Sequence, residues 1–232
     1  MNLTAQGVGK EYPRKTRASN CFTALQPLDL TLESGTLTVL NGRSGSGKST
    51  LLHILGGLLN PTSGKVLADG KDLYTMPDKE LSLFRNRHIG MIPQGQTVIY
   101  SLTVLENVLL PVALYGSAGK EDISRANALL EELGIRALAD CRPSELSGGE
   151  LRRMAIARAL FLQPEIILAD EPTADLDEEN TQVVFQCFRH YAQQGKTLLV
   201  VTHETCMERY TDVLYTMKNG SLQRERQGDD DK

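Results

Sequence analysis

The sequence predicts an α/β fold, and three of its features carry that prediction. Residues 37–40, 166–169 and 198–201 are short continuous apolar runs, each followed by a polar or glycine-rich turn, as expected of buried strands that feed an active edge. A glycine-rich loop joins the first run to a strongly apolar helical stretch. In mid-chain, Ile123, Ala126, Leu130 and Leu133 recur at helical spacing and Gly134 closes the run, marking an amphipathic helix.

From the N-terminus, residues 3–8 and 25–32 are expected strands, joined by the polar, basic segment 13–20. The helix after the glycine-rich loop carries Leu51, Leu52, Ile54, Leu55, Leu58 and Leu59. It is apolar on nearly every side and is expected deep in the core, with Asn60-Pro61-Thr62-Ser63-Gly64 as its stop. The middle third is expected to be mainly helical. Lys218-Asn219-Gly220 is a hairpin-turn signal, and residues 226–232 have the composition of a solvated, disordered tail.

Bulk properties narrow the function classes. With 232 residues and 41% hydrophobic content, the chain can bury the core of a single domain spanning 1–232. A net charge of -4 and a pI near 5.6 supply no basic face, so no nucleic-acid partner is expected. Cys21, Cys141, Cys187 and Cys206 lie far apart, with no CxxC and no histidine at metal-ligand spacing. That usage fits buried thiols in a reducing compartment, with no disulfide or zinc. The first residues lack a basic stretch followed by an apolar run, and no apolar run approaches the ~20 residues of a membrane span. A soluble, cytoplasmic chain is expected.

Three motifs carry chemistry. In Gly42-Arg43-Ser44-Gly45-Ser46-Gly47-Lys48-Ser49-Thr50 the glycines let backbone N–H groups close on phosphate oxygens. Lys48 would reach the β and γ phosphates, Ser49 would supply a magnesium ligand, and the helix start adds a favourable dipole. In Ile166-Ile167-Leu168-Ala169-Asp170-Glu171 an apolar strand delivers two carboxylates to its C-terminal end. Asp170 is placed to hold magnesium and Glu171 to orient or deprotonate the water that attacks the γ phosphate.

The third motif is Leu146-Ser147-Gly148-Gly149-Glu150, followed by a helical run. Ser147 and Glu150 make an S-x-x-E capping box, which accounts for those two residues. It does not account for Gly148 and Gly149, which cost ~1 kcal/mol each relative to alanine in a first helical turn. Close approach of the backbone to a phosphate is a reason for them.

These motifs in this order resemble the ATP-binding-cassette family over nearly the whole chain, residues 146–150 matching its signature. The resemblance implies a P-loop NTPase core with a mainly parallel sheet, an N-terminal antiparallel β subdomain, and an α-helical subdomain inserted at roughly residues 95–160. It assigns Gln94 to the Q-loop, as a magnesium and water contact, and Asp177, within Ala174-Asp175-Leu176-Asp177, to the D-loop. His203 falls at the switch histidine facing the γ phosphate. Tyr12 falls at the aromatic that stacks on adenine, with Phe22 as a substitute if the loop folds back. Glu150 stands where many members have glutamine, and Asp175 where the residue is often small or amidic. His53, His88 and His190 match no motif and are expected in packing or surface roles.

The same resemblance implies ATP and Mg2+ as ligands and a head-to-tail dimer of two copies. There, Ser147 and the Gly149 amide of one copy would complete the γ phosphate site of the other. It also implies a separate transmembrane permease, with the chain peripheral on the inner face of the cell membrane. The stretch from Gln94 to Ser147 has room for a compact helical subdomain but not for a long coiled coil, against chromosome-maintenance and DNA-repair relatives. Residues 84–94 and 102–111 are similar to the macrolide-exporter and lipoprotein-release branch, with antimicrobial-peptide transporters nearby, although Pro93 stands where that branch often has phenylalanine. The apolar surface of residues 97–115 exceeds what a short segment can bury alone, so part of it is expected to line a docking groove. An ATPase of a soluble assembly machine, as in iron-sulfur biogenesis, and an import ATPase stay open at this level.

Overall fold

Alternation of apolar residues along the strands divides the chain between two cores. The computed structural model describes residues 1–13, 21–95, 97–174, 176–203 and 210–225. Most of the basic segment after Pro13, Asp175, Cys206 and the tail from 226 therefore lie outside the described residues. In chain order the elements are β1 (Leu3–Pro13), β2 (Cys21–Leu32), β3 (Leu37–Asn41), α1 (Lys48–Leu55), β4 (Ser63–Ala68), β5 (Lys71–Asp72), α2 (Asp78–His88), β6 (Ile89–Ile92), α3 (Val104–Ala113), α4 (Lys120–Glu132), α5 (Gly148–Leu160), β7 (Ile166–Asp170), α6 (Glu178–Gln193), β8 (Thr197–Val201), β9 (Val213–Lys218) and β10 (Ser221–Arg224).

One sheet has the strand order β2-β1-β4-β5 and is antiparallel throughout. The other runs β10-β9-β3-β8-β7-β6 and is parallel except for β10. Its central strands are buried on both faces, which is why they read as unbroken apolar runs. Ile167, Ala169, Leu198 and Val200 face a core shared with α3, α4, α5 and α6. Their alternates Ile166, Leu168, Leu199 and Val201 face a second core shared with α1 and the antiparallel sheet.

Helix α1 is buried as expected, with Leu51, Leu52, Ile54 and Leu55 fully enclosed. It stops at Leu55 rather than near Asn60, because Gly56 caps it and Gly57 turns at φ 67°. Leu58, beyond that turn, is exposed. In α4 the buried stripe is Ala126, Leu129, Leu130 and Leu133, while Ile123 points outward, one turn off the stripe. Strands β1 and β2 run beyond the expected ends as an exposed ribbon in which Glu11, Tyr12 and Pro13 pair with Thr23, Phe22 and Cys21. Its residues are polar or exposed on both faces, so no apolar alternation marks it. Cys21 is accordingly exposed, against the expectation of buried thiols, whereas Cys187 is buried. The hairpin joining β9 and β10 turns on Asn219 and Gly220, both at positive φ. Among the described residues no helix is long and apolar enough to cross a membrane.

Candidate functional site

Four loops leave neighbouring parallel strands at the same edge of the six-stranded sheet. Strand β3 leads into Gly42 to Gly47, β8 into Thr202 and His203, β7 into Glu171, and β6 into Pro93 and Gln94. The carboxyl ends of parallel strands are where open α/β sheets bind ligands, since the loops diverge there and helix starts point inward.

The loop after β3 owes its shape to glycine. Gly47 is the N-cap of α1 at φ 110°, and a Cβ there would lie 2.6 Å from the Ala24 carbonyl oxygen. Lys48 is buried, and its Nζ donates to the carbonyl oxygens of Gly42 at 2.6 Å and Arg43 at 3.1 Å. The ammonium is thus folded over the loop whose backbone would carry a phosphate.

Asp170 is the last residue of β7 and is buried. Glu171 follows at φ 48°, an uncommon conformation for a residue other than glycine, with its N–H bonded to the Val201 carbonyl at 2.8 Å. This turn aims the carboxyl across the sheet edge. His203 Nδ1 and Glu171 Oε1 are hydrogen-bonded at 2.8 Å. Glu171 Oε2 is buried without a hydrogen-bond partner among the described residues. An orphaned carboxylate oxygen of this kind fits a water or a hydrated cation as its partner.

A cavity of about 600 Å³ gathers Tyr12, Arg43, Ser44, Gly45, Gly47, Lys48, Ser49, Thr50, Gln94, Asp170, Glu171 and His203. Phe22 and Ala24, from β2, also line it. Tyr12 and Phe22 are cross-strand partners on the exposed ribbon, so both aromatics stand at this wall. Gly42 and Ser46 open instead onto an adjoining cavity, with Arg43, Ser44, Gly45 and His203 shared between the two. Cationic and amide donors on one side and carboxylates on the other suit a magnesium–triphosphate ligand.

Ser147, Gly148, Gly149, Glu150 and Asp177 do not line this cavity. Ser147 caps α5, and Glu150 Oε2 accepts from the Ser147 N–H at 2.7 Å and from its hydroxyl at 2.8 Å. Those bonds, the backbone one foremost, hold the Glu150 carboxyl below the usual carboxylate range. Asp177 caps α6 by accepting from the Asn180 N–H at 2.8 Å. The signature and the nucleotide-type cavity of one chain are therefore separate surfaces.

Two buried residues escaped the sequence reading. Arg152 and Arg153 lie on α5, where two consecutive charged residues look like solvent-facing surface. Only the burial of both guanidinium groups distinguishes them.

Residues 25–174 match the ABC transporter family model. The lipoprotein-releasing system ATP-binding protein LolD of Bacteroides fragilis is 39% identical over 208 residues, covering 89% of this chain and 96% of that one. The dimeric structure of MJ0796, a bacterial ABC transporter cassette, superposes with a TM-score of 0.89 at 34% identity, covering 97% of this chain and 100% of that one. A post-hydrolysis dimer of MJ0796 bound to ADP and Pi matches with the same TM-score, identity and coverage. With the matched region spanning the glycine-rich loop, the paired carboxylates and the signature, the chain belongs to the ABC transporter family, as an ATP-binding, ATP-hydrolysing subunit.

Proposed function

We propose that this chain powers a separate membrane permease of the lipoprotein-releasing type, working as a head-to-tail dimer that binds two ATP molecules between its subunits. The observation that carries the reading is the separation just described. Lys48, Asp170, Glu171, Gln94 and His203 share one cavity, while Ser147, Gly149 and Asp177 lie on another surface of the chain. A second copy brings the two surfaces together. LolD proteins of similar sequence and the dimeric MJ0796 cassettes support both halves of the proposal.

Within the cavity, Tyr12 and Phe22 stack on adenine, and the amides of residues 42–47 with Lys48 hold the phosphates. Ser49, Asp170 and Gln94 are the residues that would hold Mg2+, which when bound would neutralise phosphate charge. Glu171 takes the proton of the attacking water, and His203 holds Glu171 in place. Ser147 with Gly148, Gly149, Glu150 and Asp177 closes the site from the opposite subunit. Closure does work because ATP favours the closed dimer and loss of the γ phosphate contacts removes that preference.

The permease is proposed to dock on the apolar groove between α2, α3 and α5. Cavities of about 310 and 260 Å³ there share Asn86, Ile89 and Met91, and Leu110, Pro111, Leu114, Leu58 and Tyr115 form their walls. Leu114 is 72% exposed and Leu58 55% exposed, more apolar surface than an isolated subunit benefits from. Such docking places the chain on the inner face of the cell membrane. Co-expression with a permease of the lipoprotein-releasing type tests the reading. Leu114→Glu is expected to abolish co-purification while ATP binding by the purified subunit stays unchanged, and retained co-purification would overturn the groove assignment.

A further inference from the structure

We infer that Arg152 is a positioning residue that ties the signature helix to the loop carrying Gln94, so that the two nucleotide surfaces of one chain move as a unit. Arg152 and Arg153 stand in the second turn of α5, just past the Ser147 cap, and are only 5% and 8% exposed. A buried guanidinium is costly unless its N–H groups find acceptors. Arg152 Nη1 donates to the Pro93 carbonyl at 2.7 Å and Nη2 to the Gln94 carbonyl at 2.9 Å. These are successive carbonyls of the loop that leaves β6, and the Gln94 side chain lines the nucleotide cavity.

A planar fork that bridges two successive carbonyls sets the orientation of the peptide between them as well as its position. A lysine at 152 would act from a point and would leave that peptide free to rotate. Arg153 secures the helix to the core in a different direction, bonding Asn180 in the first turn of α6, next to the Asp177 cap. Helix α5 is thereby fixed to α6 by one arginine and to the Gln94 loop by its neighbour. Any displacement of Ser147 and Gly149 at the start of α5 is passed to Gln94 through Arg152. Binding at the signature is in this way communicated to the chain's own cavity.

The inference rests on the proposed role of Gln94, and a double-mutant cycle separates the two. Steady-state ATP hydrolysis by the full chain is measured across a magnesium titration, alongside equilibrium binding of a fluorescent ATP analogue. Arg152→Ala is expected to bind the analogue within about threefold of wild type, because the glycine-rich loop is untouched, while kcat falls about tenfold or more. The magnesium concentration for half-maximal turnover should rise, a change that loss of stability alone does not produce. Arg152→Lys is expected to recover only part of kcat. On a Gln94→Ala background, Arg152→Ala is expected to lower kcat by less than about twofold further, since no amide is left to position. Full additivity on that background overturns the inference and leaves Gln94 in its role. Wild-type turnover by Gln94→Ala overturns the Gln94 assignment and the inference together. Should Arg152→Ala fold poorly, the cycle built on Arg152→Lys makes the same comparison.

Discussion

His203 at the end of β8 and Glu171 at the end of the neighbouring β7 are joined by a 2.8 Å hydrogen bond between Nδ1 and Oε1. The bond engages one carboxylate oxygen and leaves the other, Oε2, buried without a partner among the described residues. The strained backbone at Glu171 adds to the fixation, because φ 48° is held by the bond from its N–H to Val201.

Glu171→Gln keeps the shape of this arrangement and removes the base. Its turnover is expected to fall about 100-fold or more, the lower end of what a positioned general base contributes. ATP binding should persist, and size-exclusion chromatography with ATP and magnesium should show a trapped dimer. Phosphate release at the wild-type rate would remove Glu171 from the base role. His203→Ala should also slow turnover, with binding retained.

Gly47→Ala tests the loop. Its Cβ would meet the Ala24 carbonyl at 2.6 Å and the Leu25 side chain at 2.8 Å, at a backbone φ of 110°. Strain at such a position costs on the order of 1–3 kcal/mol, and relief requires the loop to shift away from its phosphate-binding shape. Loss of ATP binding with a lowered melting temperature is the expected result, read by calorimetry and analogue titration.

Stability should fall on acidification through Asp212. Burial opposes its charge, but the hydrogen bond from Arg189 and the Leu37 N–H hold its carboxyl below the usual carboxylate range. A depressed folded pKa gives stability that is present above the unfolded value of about 4 and is lost as pH falls through the folded one. Asp212→Asn should be less stable than wild type at pH 6, and the gap should narrow below pH ~4 in urea denaturation. A gap independent of pH would exclude the carboxylate as its source.

At high pH the sign reverses. Burial pushes the Tyr74 hydroxyl well above its ordinary range, with Arg85 opposing and Asp72 reinforcing, and its oxygen lies 2.6 Å from the Ile54 carbonyl and 2.7 Å from that of Leu59. Burial raises Tyr191 and Cys187 in the same direction. A raised folded pKa gives stability that is complete below the unfolded value, about 10 for tyrosine, and is lost as pH rises through the folded one. Tyr74→Phe should cost about 1–2 kcal/mol at neutral pH, from the lost hydrogen bonds behind α1. It should also lose stability less steeply than wild type above pH ~10, measured by denaturant titration at several pH values.

The strands at 166–169 and 198–201 were legible because burial on both faces leaves an unbroken apolar run, a local property. The exposed ribbon of β1 and β2 was not, because its residues bury neither face and carry no period. Ile123 and Leu58 were misplaced for a related reason: composition names an apolar residue, but the facing element decides whether it is covered.

The sequence by itself determined the chemistry on offer, since the glycine-rich loop, the Asp170-Glu171 pair and the Ser147–Glu150 box are contiguous and their functions follow from backbone geometry at a strand or helix end. Only the tertiary structure decided which of these groups meet. Gln94, Glu171, His203 and the loop at 42–47 come together because β6, β7, β8 and β3 are neighbours in one parallel sheet. The signature does not line that cavity, and α5 is joined to the backbone of the Gln94 loop by Arg152 and to α6 by Arg153. Strand order and buried clamps are contacts between residues far apart in the chain, which no local pattern of residues encodes.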